Sequence, residues 1–118
     1  MKKVFHLKTC STCIRIIKEV KWPSDITFQN IKEENLSSKE LETIAKKIGS
    51  YEALFSRRAM KYKSMGLAQQ DLSESDIKKL ILEEYTFLKR PVVVYEDQVF
   101  VGNSKKVVAA LLSYFERN

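Results

Sequence analysis

Val4-Phe5-His6-Leu7-Lys8-Thr9-Cys10-Ser11-Thr12-Cys13 decides the reading of this chain. Residues 3–7 form an apolar run with the character of a buried strand, which gives way to a polar turn at Lys8-Thr9. Two cysteines follow, with two residues between them. Ile14, Ile16, Ile17 and Val20 then open an amphipathic segment, predicting a helix over about residues 12–22. Trp22-Pro23 should end it, because proline cannot continue a helix and disfavours helical geometry in the residue before it. Strand, loop, C-x-x-C and helix in this order read as a thiol-redox site in a small intracellular protein.

Working outward, Ile26-Thr27-Phe28-Gln29-Asn30-Ile31 alternates apolar and polar residues, the period of a second strand. Two strands joined by a helical crossover make a βαβ unit, whose first loop is a natural place for a site. Ser37 with Glu40 predicts a capping box for a helix carrying Leu41, Ile44, Ala45 and Ile48, with Gly49 as its stop. Tyr51 to Met65, with Leu54, Phe55, Met60 and Tyr62, is expected to be a further helix punctuated by Gly66. Ser73 with Asp76 predicts another capped helix through Ile77, Leu80, Ile81 and Leu82, running toward Tyr85.

The period then changes. Arg90-Pro91-Val92-Val93-Val94-Tyr95, a turn at Glu96-Asp97, and Gln98-Val99-Phe100-Val101 predict a hairpin ended by Gly102. Val107, Val108, Leu111, Leu112 and Phe115 mark a C-terminal helix starting from Asn103 or Ser104. The order predicts an α/β, thioredoxin-like fold in which a mixed four-stranded sheet is flanked by helices on both faces. It is expected as a single domain over residues 1–118, with a helical insertion at about residues 37–85 between the βαβ and ββα halves.

The 118 residues suffice for one core, and 44% hydrophobic content is that of a globular chain. No apolar stretch approaches the roughly 20 residues of a membrane span, and MKKVFHL is too short in its apolar run for a signal-peptide core. The expected location is the cytoplasm, where two cysteines are more often catalytic, redox-sensing or metal-binding than a structural staple. A net charge of +6 favours anionic partners: an oxyanion, a thiol cofactor or an acidic protein surface. Direct nucleic-acid binding is not expected, since Lys and Arg are spread through the chain without an aromatic-interleaved basic motif.

A cysteine at a helix N-terminus meets unpaired backbone N–H groups and the positive end of the helix dipole, and both favour thiolate. Cys10, just before the helix, is the candidate nucleophile; Cys13, one turn in and on the same face, is the candidate resolving thiol. The plainer alternative is a pair of small buried residues. A closed zinc site needs four ligands, and His6, Cys10 and Cys13 offer three, so no metal is expected. His6 either helps to ionise Cys10 or orients a ligand, or is a strand histidine satisfied by a neighbour. Pro91 opens a strand, where no ladder donor is required, and in thioredoxin-like folds the proline at this point is cis and packs against the cysteine loop. Arg90 before it would then place its guanidinium near Cys10, in a fork suited to an oxyanion or carboxylate; the alternative is a surface arginine. Arg57-Arg58, followed by Lys61 and Lys63, reads by local chemistry as a solvated helix face.

With these residues laid out, the chain resembles the arsenate reductase/Spx family of thioredoxin-fold, glutaredoxin-like proteins over nearly its whole length. The resemblance lies in Cys10-Ser11-Thr12-Cys13, in Leu54-Phe55-Ser56-Arg57-Arg58-Ala59-Met60-Lys61-Tyr62, in Lys89-Arg90-Pro91-Val92-Val93-Val94, and in Val101-Gly102 before the last helix. It implies Cys10 as the nucleophile, Arg58 and Arg90 as oxyanion contacts, and His6 at the position of a histidine found four residues before the cysteine. The implied activity is that of an arsenate reductase-like thiol oxidoreductase with no bound cofactor, taking a small oxyanion or thiol substrate and using glutathione, glutaredoxin or thioredoxin as reductant. Three positions depart from the reductases: Asn103 stands where a third arginine is found, Cys13 where a serine is found, and Ile14 where an arginine follows that serine. The C-x-x-C resembles Spx, which implies the alternative of a redox-sensing transcriptional regulator binding the RNA polymerase α subunit.

Overall fold

The computed structural model describes residues 1–116, which fall into two compact units: Met1–Glu34 together with the segment from Arg90 onward, and Asn35–Lys89. In the first unit, the run around Phe5 forms strand β1 (Lys2–His6), and the alternating segment after Pro23 forms β2 (Thr27–Asn30). The β-branched run forms β3 (Val92–Tyr95), which turns at Glu96-Asp97 into β4 (Gln98–Val101). Glu96 takes a left-handed φ of 55° in that turn. The sheet order is β2-β1-β3-β4; β1 pairs parallel with β2 and antiparallel with β3, and β3 pairs antiparallel with β4.

Val4 lies opposite Phe28 on one side and Val93 on the other. Side chains alternate along a strand, so these three share one face of the sheet. Helix α1 (Ser11–Glu19) and helix α5 (Lys105–Glu116) cover that face: Val4 and Val93 form one buried cluster with Ile16, Val20, Ile26, Leu111 and Phe115. Phe115 is its aromatic centre, with ring centroids 5.2 Å from Trp22, 5.5 Å from Tyr95 and 5.0 Å from Tyr114. Burying such a side chain contributes about 1.5–3 kcal/mol.

α1 is shorter than its pattern predicts. It ends at Glu19, and Val20 is already extended at φ −84°, ψ 138°. The indole N–H of Trp22 donates to the carbonyl of Ile17 at 2.9 Å, satisfying one of the carbonyls a helix end leaves open.

The second unit contains helices α2 (Ser38–Ile48), α3 (Met60–Ser64) and α4 (Glu74–Glu83). Both expected capping boxes are present. The Ser37 and Ser73 hydroxyls each accept the backbone N–H three residues on, and Glu40 and Asp76 accept the N–H of the capping serine. Gly49 ends α2 at φ 111°, a backbone conformation that glycine adopts without a Cβ clash. α4 stops at Glu83, short of Tyr85, and the Glu84 carboxylate caps a separate 3-10 turn over Tyr85–Phe87 by accepting the N–H of Thr86.

The single helix expected over Tyr51–Met65 does not form. A 3-10 turn covers Glu52–Leu54, Phe55 makes an isolated bridge with Leu88, Arg57 and Arg58 lie in a turn, and only Met60–Ser64 is α-helical. The chain is held open by N–H bonds from Ser56 to the Phe87 carbonyl at 2.7 Å and from Lys89 to the Leu54 carbonyl at 2.8 Å. Phe55 is thereby buried with its ring centroid 5.4 Å from that of Phe87.

Candidate active site

Cys10 is the N-cap of α1, with extended φ −86° and ψ 115°. Its own N–H donates to the Leu7 carbonyl at 3.0 Å, which closes the turn after β1, and its carbonyl accepts the first helical bond from Ile14 at 3.0 Å. An N-cap serine or aspartate would accept the helix N–H groups through oxygen. Here no side-chain oxygen caps the helix, and a sulfur occupies the position.

Burial opposes ionisation of Cys10. The N–H and thiol of Cys13, the N–H of Thr12 and the side chain of Arg90 outweigh it, and hold the Cys10 thiol below its ordinary range. Cys10 is part-exposed, so the sulfur at this helix start remains open to reaction. Cys13 is its opposite. It is fully buried, and burial pushes its thiol up to about 11; the Leu7 N–H works the other way, and the nearby Cys10 adds to the rise. The two sulfurs interact directly and are not joined by a disulfide.

Arg90 enters from the start of β3. The Arg90–Pro91 peptide is cis and Pro91 is buried. The carbonyls of both residues are held from across the hairpin: that of Pro91 by the N–H of Gly102 at 2.9 Å, and that of Arg90 by the side-chain amide of Asn103 at 3.2 Å.

His6 is placed differently. Its half-buried ring meets Phe28 edge-on at 6.1 Å, and burial, helped by the charge of Lys8, holds its pKa below the usual histidine value. It is therefore neutral at pH 7. Arg58 belongs to the second unit, exposed in the turn ahead of α3 beside Arg57, which pairs with Glu52 at 3.1 Å. Lys61, in the same basic run, pairs with Glu84 at 2.6 Å. The structure thus brings together Cys10, Cys13 and Arg90 from two distant parts of the sequence. It adds two groups that the sequence reading had not assigned to the site: the N–H of Leu7 at the Cys13 thiol, and the amide of Asn103 at the Arg90 carbonyl. The sequence signal for the last was a polar amide directly after the strand-ending Val101-Gly102.

The arrangement sets a part-exposed thiol, held toward ionisation, beside a guanidinium and a buried second thiol that keeps its proton. Among the described residues, no group of three or more His, Cys, Asp or Glu side chains is disposed to hold a metal ion, and no helix is long and apolar enough to cross a membrane.

Comparison with known proteins gives the same frame. Residues 5–111 match the model of the ArsC family. The chain is 32% identical over 78 residues to an arsenate reductase of Haemophilus influenzae, spanning 64% of this chain and 67% of that protein. It is 29% identical over 118 residues to the global transcriptional regulator Spx of Lactococcus lactis subsp. cremoris, spanning 95% and 86%. Among solved structures, an ArsC-family-related protein from Bacteroides fragilis superposes with a TM-score of 0.79 at 25% identity, over 94% of this chain and 98% of that one. An arsenate reductase from Vibrio cholerae superposes with a TM-score of 0.75 at 21% identity, over the same shares. A cysteine at the N-cap of α1, a β2-β1-β3-β4 sheet, a cis Arg90–Pro91 and a family match over residues 5–111 lead to one assignment: this chain belongs to the ArsC family.

Proposed function

We propose that the protein is an arsenate reductase-like thiol oxidoreductase of the cytoplasm. Cys10 is its nucleophile, Cys13 its resolving thiol and Arg90 its anion contact. The observation that carries this reading is the contrast within one helical turn. Cys10 is part-exposed and held toward thiolate by the Cys13 and Thr12 N–H groups and Arg90, while Cys13 is buried and held protonated. With arsenate, the Cys10 sulfur displaces one oxygen of the oxyanion, which leaves as water after protonation. Attack of a second thiol on the Cys10 sulfur then releases arsenite and leaves a disulfide. The sum is arsenate plus two thiols giving arsenite, a disulfide and water. Cys13 is the nearest second thiol; glutathione supplies it otherwise, and a glutaredoxin or thioredoxin recycles the disulfide. Arg58 carries an anion-binding role through the family resemblance alone.

The test is arsenite formation by the reduced protein supplied with glutathione and glutaredoxin, or with thioredoxin, against Cys10→Ser. Turnover that Cys10→Ser abolishes supports the proposal. No turnover with either supply, from folded and reduced protein, rejects it.

A second reading is favoured by one observation: similarity to the Lactococcus lactis regulators runs over 95% of the chain, against 64% for the Haemophilus influenzae reductase. In it, oxidation of Cys10 and Cys13 to a disulfide switches binding to the RNA polymerase α subunit. Capture of that subunit in one redox state and not the other supports it; no binding in either state rejects it.

A further inference from the structure

The hairpin ladder that holds Arg90 is completed by a side chain. β3 and β4 pair with Val92 opposite Val101, so the next positions outward set Pro91 against Gly102 and Arg90 against Asn103. The Gly102 N–H still serves the ladder, donating to the Pro91 carbonyl at 2.9 Å. At Gly102 the backbone then takes a φ of 88°, a left-handed conformation open to glycine, and turns away toward α5. The Asn103 side-chain amide makes the next rung instead, donating to the Arg90 carbonyl at 3.2 Å. Asn103 is not occupied in capping α5, because the Ser104 hydroxyl accepts the Val107 N–H at 3.2 Å and takes that task. The residue pinned in this way is the one whose side chain meets the Cys10 sulfur.

We propose that Asn103 is a positioning residue of the thiol site: its amide extends the β3–β4 ladder by one rung, fixes the main chain of Arg90, and so holds the Arg90 guanidinium at Cys10. Asn103 does not contact substrate in this role. The arginine's long side chain has many rotamers, and its fork acts on the sulfur only from a fixed base. The inference rests on the reading of Cys10 as a nucleophile assisted by Arg90.

The test is the pH dependence of Cys10 alkylation by iodoacetamide, read residue by residue by mass spectrometry, in the wild type, Asn103→Ala, Asn103→Asp, Arg90→Ala and the Asn103→Ala/Arg90→Ala double variant. Asn103 is exposed, and Asn103→Asp keeps its shape while removing the donor. Both Asn103 variants are expected to move the midpoint of the profile to higher pH and to slow Cys10 alkylation at pH 7 by about fivefold, the factor of one ordinary hydrogen bond. In the Arg90→Ala background, Asn103→Ala is expected to change nothing further. A profile that shifts in Arg90→Ala and stays put in both Asn103 variants overturns the inference and leaves the underlying reading intact. An Asn103 effect that persists in full without Arg90 also overturns it. A profile that does not move in Arg90→Ala overturns the underlying reading, and this inference with it.

Discussion

Cys10 and Cys13 stand one turn apart at the start of α1, and the protein drives their acidities in opposite directions. Cys13, in the first turn of the helix, is fully buried and pushed up to about 11, while Cys10 is held below its ordinary range by donors on the same turn and by Arg90. Site-resolved alkylation at pH 7 should therefore label Cys10 first, with Cys13 reacting at least tenfold more slowly. Equal labelling of the two in folded protein would contradict this.

The raised Cys13 value also has a consequence for stability. In the unfolded chain this thiol ionises near about 8.5, whereas in the folded protein it keeps its proton to about 11. Folding then releases no proton from Cys13 at neutral pH, but above about pH 8.5 the unfolded state gains the ionised form that the fold denies. The contribution of Cys13 is fully present below that pH and is lost as pH rises toward 11. Urea midpoints at pH 7.5 and pH 10 should fall further apart in the wild type than in Cys13→Ala. Equal differences would show that Cys13 does not titrate in this way.

Arg90 is expected to act mainly on reactivity. Arg90→Lys keeps the charge but loses the planar fork, and Arg90→Ala loses both. Anion binding, read as KM for the oxyanion, should weaken in the order wild type, lysine, alanine. Full activity in Arg90→Ala would remove it from the site.

The two capping boxes support the second unit. Ser37→Ala and Ser73→Ala each remove an acceptor from a helix N-terminus, and each should destabilise the protein by about 1 kcal/mol in chemical denaturation. α2 and α4 are also joined by an exposed ion pair between Lys78 and Glu42, which solvent screens. In the first unit, Phe115→Ala should cost about 3–5 kcal/mol, because it empties the centre of the cluster formed by Trp22, Tyr95 and Tyr114. A loss below 1 kcal/mol would show that α5 is not anchored through that ring.

Much of this architecture is legible in the sequence because local signals and tertiary demands agree. Ser37 with Glu40, Ser73 with Asp76, Gly49 and the Val92–Val101 hairpin all read correctly, each resting on a short-range rule. The failure at Tyr51–Met65 has the opposite cause. Its apolar residues are spaced well enough for a helix, but Phe55 is buried against Phe87, and Ser56 and Lys89 take backbone bonds across the bridge at Leu88. Those partners lie more than thirty residues away, where periodicity cannot see them. The site divides along the same line. Cys10 and Cys13 are visible from spacing and Arg90 from its proline, whereas the amide of Asn103 acquires meaning only through the hairpin register that sets it against Arg90.

The central claim, that Cys10 attacks and Cys13 resolves, is tested most directly by mass spectrometry of protein treated with glutathione disulfide. The wild type should pass to a Cys10–Cys13 disulfide with no retained glutathione, and Cys13→Ser should stop at one glutathione on Cys10. A glutathione adduct on Cys13, or a wild-type protein that keeps its adduct on Cys10 and forms no internal disulfide, would contradict it.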